Sequence, residues 1–198
     1  MMTLTDQVVA LAKRTFEDPR AGVRTLLGLG VPLPARTVGL VLVSVLSALL
    51  LHLGFFLLPP TDDPLTQFIG QSPLGSAVIQ WVILTATVLA IHRIGRIFGG
   101  RATLPDSLLV VVWLQMIMLG VQVVQLLTLI LFAPLAGLVN LAGLVLFFWL
   151  FTSFIAEVHG FSSRWAVLAG VIGSGFVIAF ALVVILSMFF GPEVFQGV

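Results

Sequence analysis

The chain has 198 residues, of which 60% are apolar and 9% charged, with a net charge of +1 and no cysteine. A soluble domain carries roughly a quarter charged residues, so lipid must be the solvent for most of this surface and the chain reads as an integral membrane protein. So small a net charge argues against a nucleic-acid partner, and the missing thiols remove disulfides, thiolate metal sites and cysteine nucleophiles.

Residues 1–34 lack the short apolar core and small-residue cleavage site of a secretory signal, so the N-terminus is expected to be kept. Residues 3–16 instead predict an amphipathic helix. Leu4, Val8 and Leu11 share one face, Thr3 and Asp6 have capping-box spacing, and Lys13 and Arg14 suit the C-terminal end of the helix dipole. Asp18-Pro19 ends that helix, and a second apolar-basic segment, residues 20–29, leads through Gly30, Pro32 and Pro34 towards the bilayer. This cytoplasmic region, 1–34, is expected either to lie along the headgroups, with Lys13, Arg14, Arg20 and Arg24 near anionic lipid, or to cap the bundle.

Residues 35–198 predict an all-α domain of five transmembrane helices. The spans run over about 35–58, 74–91, 105–132, 134–155 and 165–190, each able at about 1.5 Å per residue to cross most or all of a hydrocarbon core of roughly 30 Å. Pro59, Pro60, Asp62, Asp63 and Pro64 mark an aqueous loop after the first span. The arginine-rich stretch from Arg93 to Asp106 closes the second span. Within it Gly99-Gly100 permits a sharp reversal, and Thr103-x-x-Asp106 with Pro105 signals a helix start. Pro134 restarts the chain at once, so spans three and four form a tight hairpin. Glu157 to Arg164 is a short polar turn in which Ser162 or Ser163 can cap the fifth span.

All nine Lys and Arg residues fall in the N-terminal region or the first turn of span one, between spans two and three, or between spans four and five. That alternation places the N-terminus in the cytoplasm and the C-terminus outside, with the plasma membrane as the expected location. The Gly99-Gly100 turn flanked by Arg93, Arg96 and Arg101 is the best candidate contact for a partner or for anionic lipid.

Polar residues within spans are the usual place to look for function. His52, Gln80, Gln122, Gln125 and Asn140 all come out at the depth of the outer leaflet, and Gln115, Gln122 and Gln125 share a stripe with Met118. They could line a small outward cavity, although interhelical hydrogen bonding, typically ~0.6 kcal/mol per contact, is the expected use. In span five Ala166, Gly170 and Ser174 repeat every fourth residue, a smooth face for another helix within the bundle or in a dimer. Trp165 suits an interfacial anchor, whereas Trp81, Trp113 and Trp149 read as packing residues. Glu157, His159 and Arg164 make a compact titratable trio, expected to pair at a loop rather than relay protons. His52, His92 and His159 show no ligand-pair spacing, so no metal or cofactor is expected. No nucleophile elbow, HExxH pair, P-loop or dinucleotide fingerprint occurs, and the chain is expected not to be an enzyme.

Thr15-Phe16-Glu17-Asp18-Pro19, Phe98-Gly99-Gly100-Arg101-Ala102-Thr103 and His159-Gly160-Phe161-Ser162, set among five closely packed spans, resemble the bacterial branch of the Yip-one family, the Ypt/Rab-interacting protein domain. The resemblance covers nearly the whole chain. It implies a five-helix bundle with a cytoplasmic N-terminal region, of a kind whose eukaryotic relatives act in vesicle trafficking and bind small GTPases. Those relatives use a long soluble N-terminal domain that this chain does not show, so the GTPase role is not carried over, and the family supplies no catalytic residues. The expected function is therefore a non-enzymatic one, organising membrane lipids or membrane-protein partners, a second copy of the chain among them. The alternative is a small transporter or channel using the outer-leaflet polar cluster.

Overall fold

A computed structural model describes residues 3–57 and 64–190, and among them the chain forms eight α-helices. The predicted capping box opens α1 (Leu4–Glu17): the Asp6 N–H donates to Thr3 Oγ1 at 3.2 Å and the Thr3 N–H to Asp6 Oδ2 at 2.9 Å. Asp18 closes α1 and caps α2 (Pro19–Gly28), accepting from the N–H groups of Arg20 and Ala21 at 3.0 and 3.1 Å. The Ala21 N–H, more than any other neighbour, holds the Asp18 carboxyl below its ordinary range.

The two helices cross at Gly22, where a Cβ would collide with Thr15. Thr15 is fully buried, donating to the Leu11 carbonyl at 2.8 Å and accepting the Trp113 indole N–H at 3.1 Å. Leu11, Val23 and Leu26 then join Trp113, Leu150 and Phe154 in one apolar core. The N-terminal hairpin is thus docked on the bundle, with Val9 exposed, while Val8 and Phe16, only partly covered, line an open groove with Trp113 and Ile117.

Five helices are long and apolar enough to cross a bilayer: α3 (Leu33–Leu57), α5 (Pro73–Ile97), α6 (Leu104–Leu131), α7 (Ala133–His159) and α8 (Arg164–Phe190). A short helix, α4 (Pro64–Gly70), stands where only loop was expected. The expected loop residues 59–63 and the tail 191–198 lie outside the described residues. Helix α5 also runs past its expected end at residue 91, because Ile94 and Ile97 extend its apolar pattern and Arg93 and Arg96 lie on its exposed side. Thr103 Oγ1 caps α6 by accepting the Asp106 N–H, and Ser163 Oγ accepts the Ala166 N–H at the start of α8. Phe132 alone separates α6 from α7.

Helix α6 is the centre, with half of its most apolar window buried against 6% for α8. It packs on α3, α5 and α7; α3 also lies along α5, α2 lies on α7, and α8 leans on α7. The outward faces carry large exposed apolar residues, among them Leu42, Leu46, Val82, Leu127, Leu138 and Phe176, as a lipid-facing surface requires.

Candidate functional site

The end of the bundle where α5, α7 and the N-terminal hairpin meet is held by two glycine turns. Gly99 (φ 83°) ends α5, and the Gly100 N–H reaches back to the Gly95 carbonyl at 2.8 Å. Gly160 (φ 75°) ends α7, and the Phe161 N–H reaches back to the Ala156 carbonyl at 2.7 Å. Both are left-handed caps of the Schellman type, a conformation that glycine adopts without a Cβ penalty.

His159, the last residue of α7, locks the two turns together. Its ring is 1% exposed and fills the space left by two glycines, since a Cβ at Gly95 or at Gly100 would collide with it. Nε2 lies 3.0 Å from the Ile91 carbonyl and Nδ1 3.4 Å from the Ala102 N–H, so the partners select the neutral tautomer in which Nε2 donates and Nδ1 accepts. The Arg101 N–H donates to the His159 carbonyl at 3.2 Å, and the Phe161 ring stacks on the imidazole at 5.3 Å. On the facing side His92 Nδ1 donates to the Ala102 carbonyl at 3.2 Å. Phe98–Thr103 and His159–Ser162, widely separated in sequence, are therefore one interlocked unit.

The arginines around this unit divide into two sets. Arg20 Nη2 donates to the carbonyls of Phe161 at 2.9 Å and Ser162 at 3.2 Å, and Arg24 pairs with Glu157 at 3.0 Å. Arg36 donates to the carbonyls of Val31 and Pro105 and pairs with Asp106 at 3.1 Å. Arg20 and Arg24, expected beside anionic lipid, thus hold the hairpin to α7 and to the turn that follows it. The Arg24 side chain is 59% exposed, so its pair contributes only about 0–1 kcal/mol, and the two bonds from Arg20 to carbonyls are the firmer tie.

Arg93, Arg96, Arg101 and Arg164 form the second set, exposed and without an ion pair among the described residues. Arg93 and Arg96 continue the exposed stripe of α5 that carries Val82, Ala86 and Leu89, so their stems can run along apolar surface while the guanidinium groups stay at the rim. The trio of Glu157, His159 and Arg164 does not assemble: Glu157 turns to Arg24, His159 is buried under the glycines, and Arg164 points to neither.

Towards the other end of the bundle, Gln115 Nε2 donates to Ser47 Oγ of α3 at 2.8 Å, whereas the Gln125 amide presses against Gly143 of α7. The glutamine stripe is split between two neighbours. His52 is 8% exposed; its Nδ1 donates to the Ala48 carbonyl at 2.9 Å, and among the described residues its Nε2 has no partner. Gln122 Oε1 and Thr85 Oγ1 are also buried without a partner. Gln80 is half-buried and Asn140 exposed, and among the described residues no hydrogen bond joins any two of His52, Gln80, Gln122, Gln125 and Asn140. Ala166, Gly170 and Ser174 do share a face of α8, and that face lines an open groove of about 490 Å³ whose other wall includes Ile91 and Ile94 of α5.

The His159 lock and the Thr15–Gly22–Trp113 crossing were not foreseen. A signal existed in Gly95 and Gly22, since a glycine in a helix interior costs about 1 kcal/mol relative to alanine and calls for a packing reason. A family model described as the Yip1 domain matches residues 13–186, which takes in both glycine turns and the hairpin from Lys13 onward. No curated protein and no solved structure gives a significant match to the chain.

Proposed function

Because the chain belongs to the Yip1 domain family, we propose that it is a non-enzymatic protein of the bacterial inner membrane that organises lipids or membrane-protein partners through its arginine-rich end. That end and the N-terminus face the cytoplasm and the C-terminus faces out, as the distribution of Lys and Arg argues. One observation carries the reading. The His159 lock fixes the backbone of the turn between α5 and α6, while Arg93, Arg96 and Arg101 around it are left without ion-pair partners among the described residues. Cations presented on a rigid frame lose little freedom when they meet a phosphate or carboxylate, which is the condition for a contact surface of useful affinity. Among the described residues no hydrogen bond joins any two of the polar groups nearer the other end, which gives transport less support than organisation.

The test is native mass spectrometry of the full chain extracted from its own membrane, with R93Q/R96Q/R101Q beside the parent. The proposal expects a co-purifying lipid or membrane protein to fall away in the triple variant while the thermal midpoint holds. An identical set of co-purifying species in both proteins would overturn it.

A further inference from the structure

The groove between α5 and α8 asks for an occupant. Its α8 wall is the small-residue face of Ala166, Gly170 and Ser174, and a Cβ added at Gly170 would meet nothing within 4 Å. A smooth face of this kind usually admits a neighbouring helix. Here the face already looks onto Ile91 and Ile94 of α5 and onto Phe151 and Ile155 of α7, so an incoming helix would have to enter among three helices of the same bundle. A single hydrocarbon chain is slimmer. The depth of the groove also suits one leaflet, which is about 15 Å of hydrocarbon.

The mouth of the groove is positively charged. Phe161, Ser162 and Ser163 line it, and the Arg20 guanidinium sits on the Phe161 and Ser162 carbonyls. Arg164 follows directly in the chain and has no ion pair. The nearby carboxylate, Glu157, is already taken by Arg24. The first turn of α8 adds the positive end of its dipole. Apolar length below and uncompensated charge above are the two halves of an anionic phospholipid.

We infer that the α5–α8 groove holds one acyl chain of an anionic phospholipid, with the headgroup phosphate between Arg20 and Arg164. This site lies on the opposite side of α5 from Arg93 and Arg96, so it stands whether or not the arginine-rich face engages a partner.

The experiment places the full chain in nanodiscs of equimolar phosphatidylglycerol and phosphatidylethanolamine and reads retained lipid by native mass spectrometry. One phosphatidylglycerol per chain is expected to persist. Arg164→Gln should cut the preference for phosphatidylglycerol about fivefold, the effect of one basic residue at an anionic surface. Gly170→Leu should expel the lipid while the thermal midpoint holds, and Ser174→Leu fills the same groove one turn further on should the first variant fail to fold. Equal retention of both lipids, lipid that survives both groove-filling variants, or a dimer that those variants dissociate would each overturn the inference. Arg93, Arg96 and Arg101 stay intact throughout, so loss of a partner at the arginine-rich face and loss of the groove lipid are read separately.

Discussion

Two buried histidines stand towards opposite ends of the bundle, and they are held in opposite ways. His159 has a backbone partner for each ring nitrogen and packs under two glycines of another segment. His52 bonds one nitrogen to a carbonyl of its own helix, and the other has no partner among the described residues. The first therefore fixes how α5, the turn after it and α7 sit together, whereas the second specifies nothing beyond its own turn. The arginine-rich end is defined by polar geometry. Much of the rest is held by apolar side chains, such as Val43, Leu84 and Val111, that exchange lipid contacts for protein contacts at little gain per residue.

The comparison breaks first, if it breaks at all, at His159→Ala. That change empties the space between Gly95 and Gly100, removes the second bond to the Ile91 carbonyl and leaves the Ala102 N–H unpaired, a loss of about 3–5 kcal/mol. Thermal unfolding in detergent, followed by tryptophan fluorescence, should show a clear fall in midpoint; an unchanged midpoint would mean that the lock adds nothing. Trp113→Phe is the intermediate case. It keeps the aromatic bulk and removes the bond to Thr15, at about 1 kcal/mol, and limited proteolysis should cut the α1–α2 hairpin sooner while the long helices stay resistant. The smallest effect belongs to His52→Leu, which removes an unpaired buried acceptor and should change stability by no more than about 0.5 kcal/mol in either direction. A loss above about 2 kcal/mol there would show that Nε2 serves something, and the two ends would no longer differ in kind.

What could be read from the sequence shares one property: it is local. The caps at Thr3, Thr103 and Ser163 are signals over three residues, the turn at Pro134 lies in a single dipeptide, and the five spans are runs of apolar residues. The motifs Phe98–Thr103 and His159–Ser162 were visible, but that they touch depends on how α5 meets α7. Depth along a helix was likewise legible where direction around it was not. Gln115 and Gln125 differ by about 80° of rotation, enough to give Gln125 to α7 while Gln115 faces α3. The repeat in α8 announced that something could come close without saying whether it was a helix. Arg20 and Arg24 looked like membrane contacts because their true acceptors, two carbonyls and Glu157, lie far along the chain.

Phe132 carries a mechanical consequence. With one residue linking α6 to α7, neither helix can slide past the other by even a turn, about 5.4 Å, without unwinding its own end. Shear is therefore closed to the central pair, and at the opposite end the His159 lock and the Arg20 bonds fasten α7 to α5 and to the hairpin. Of the long helices, α8 is left with the most freedom, since it leans on α7 and faces α5 only across an open groove. Any working motion of the bundle has its cheapest coordinate there, as a swing of one rod about the glycine joint at residue 160.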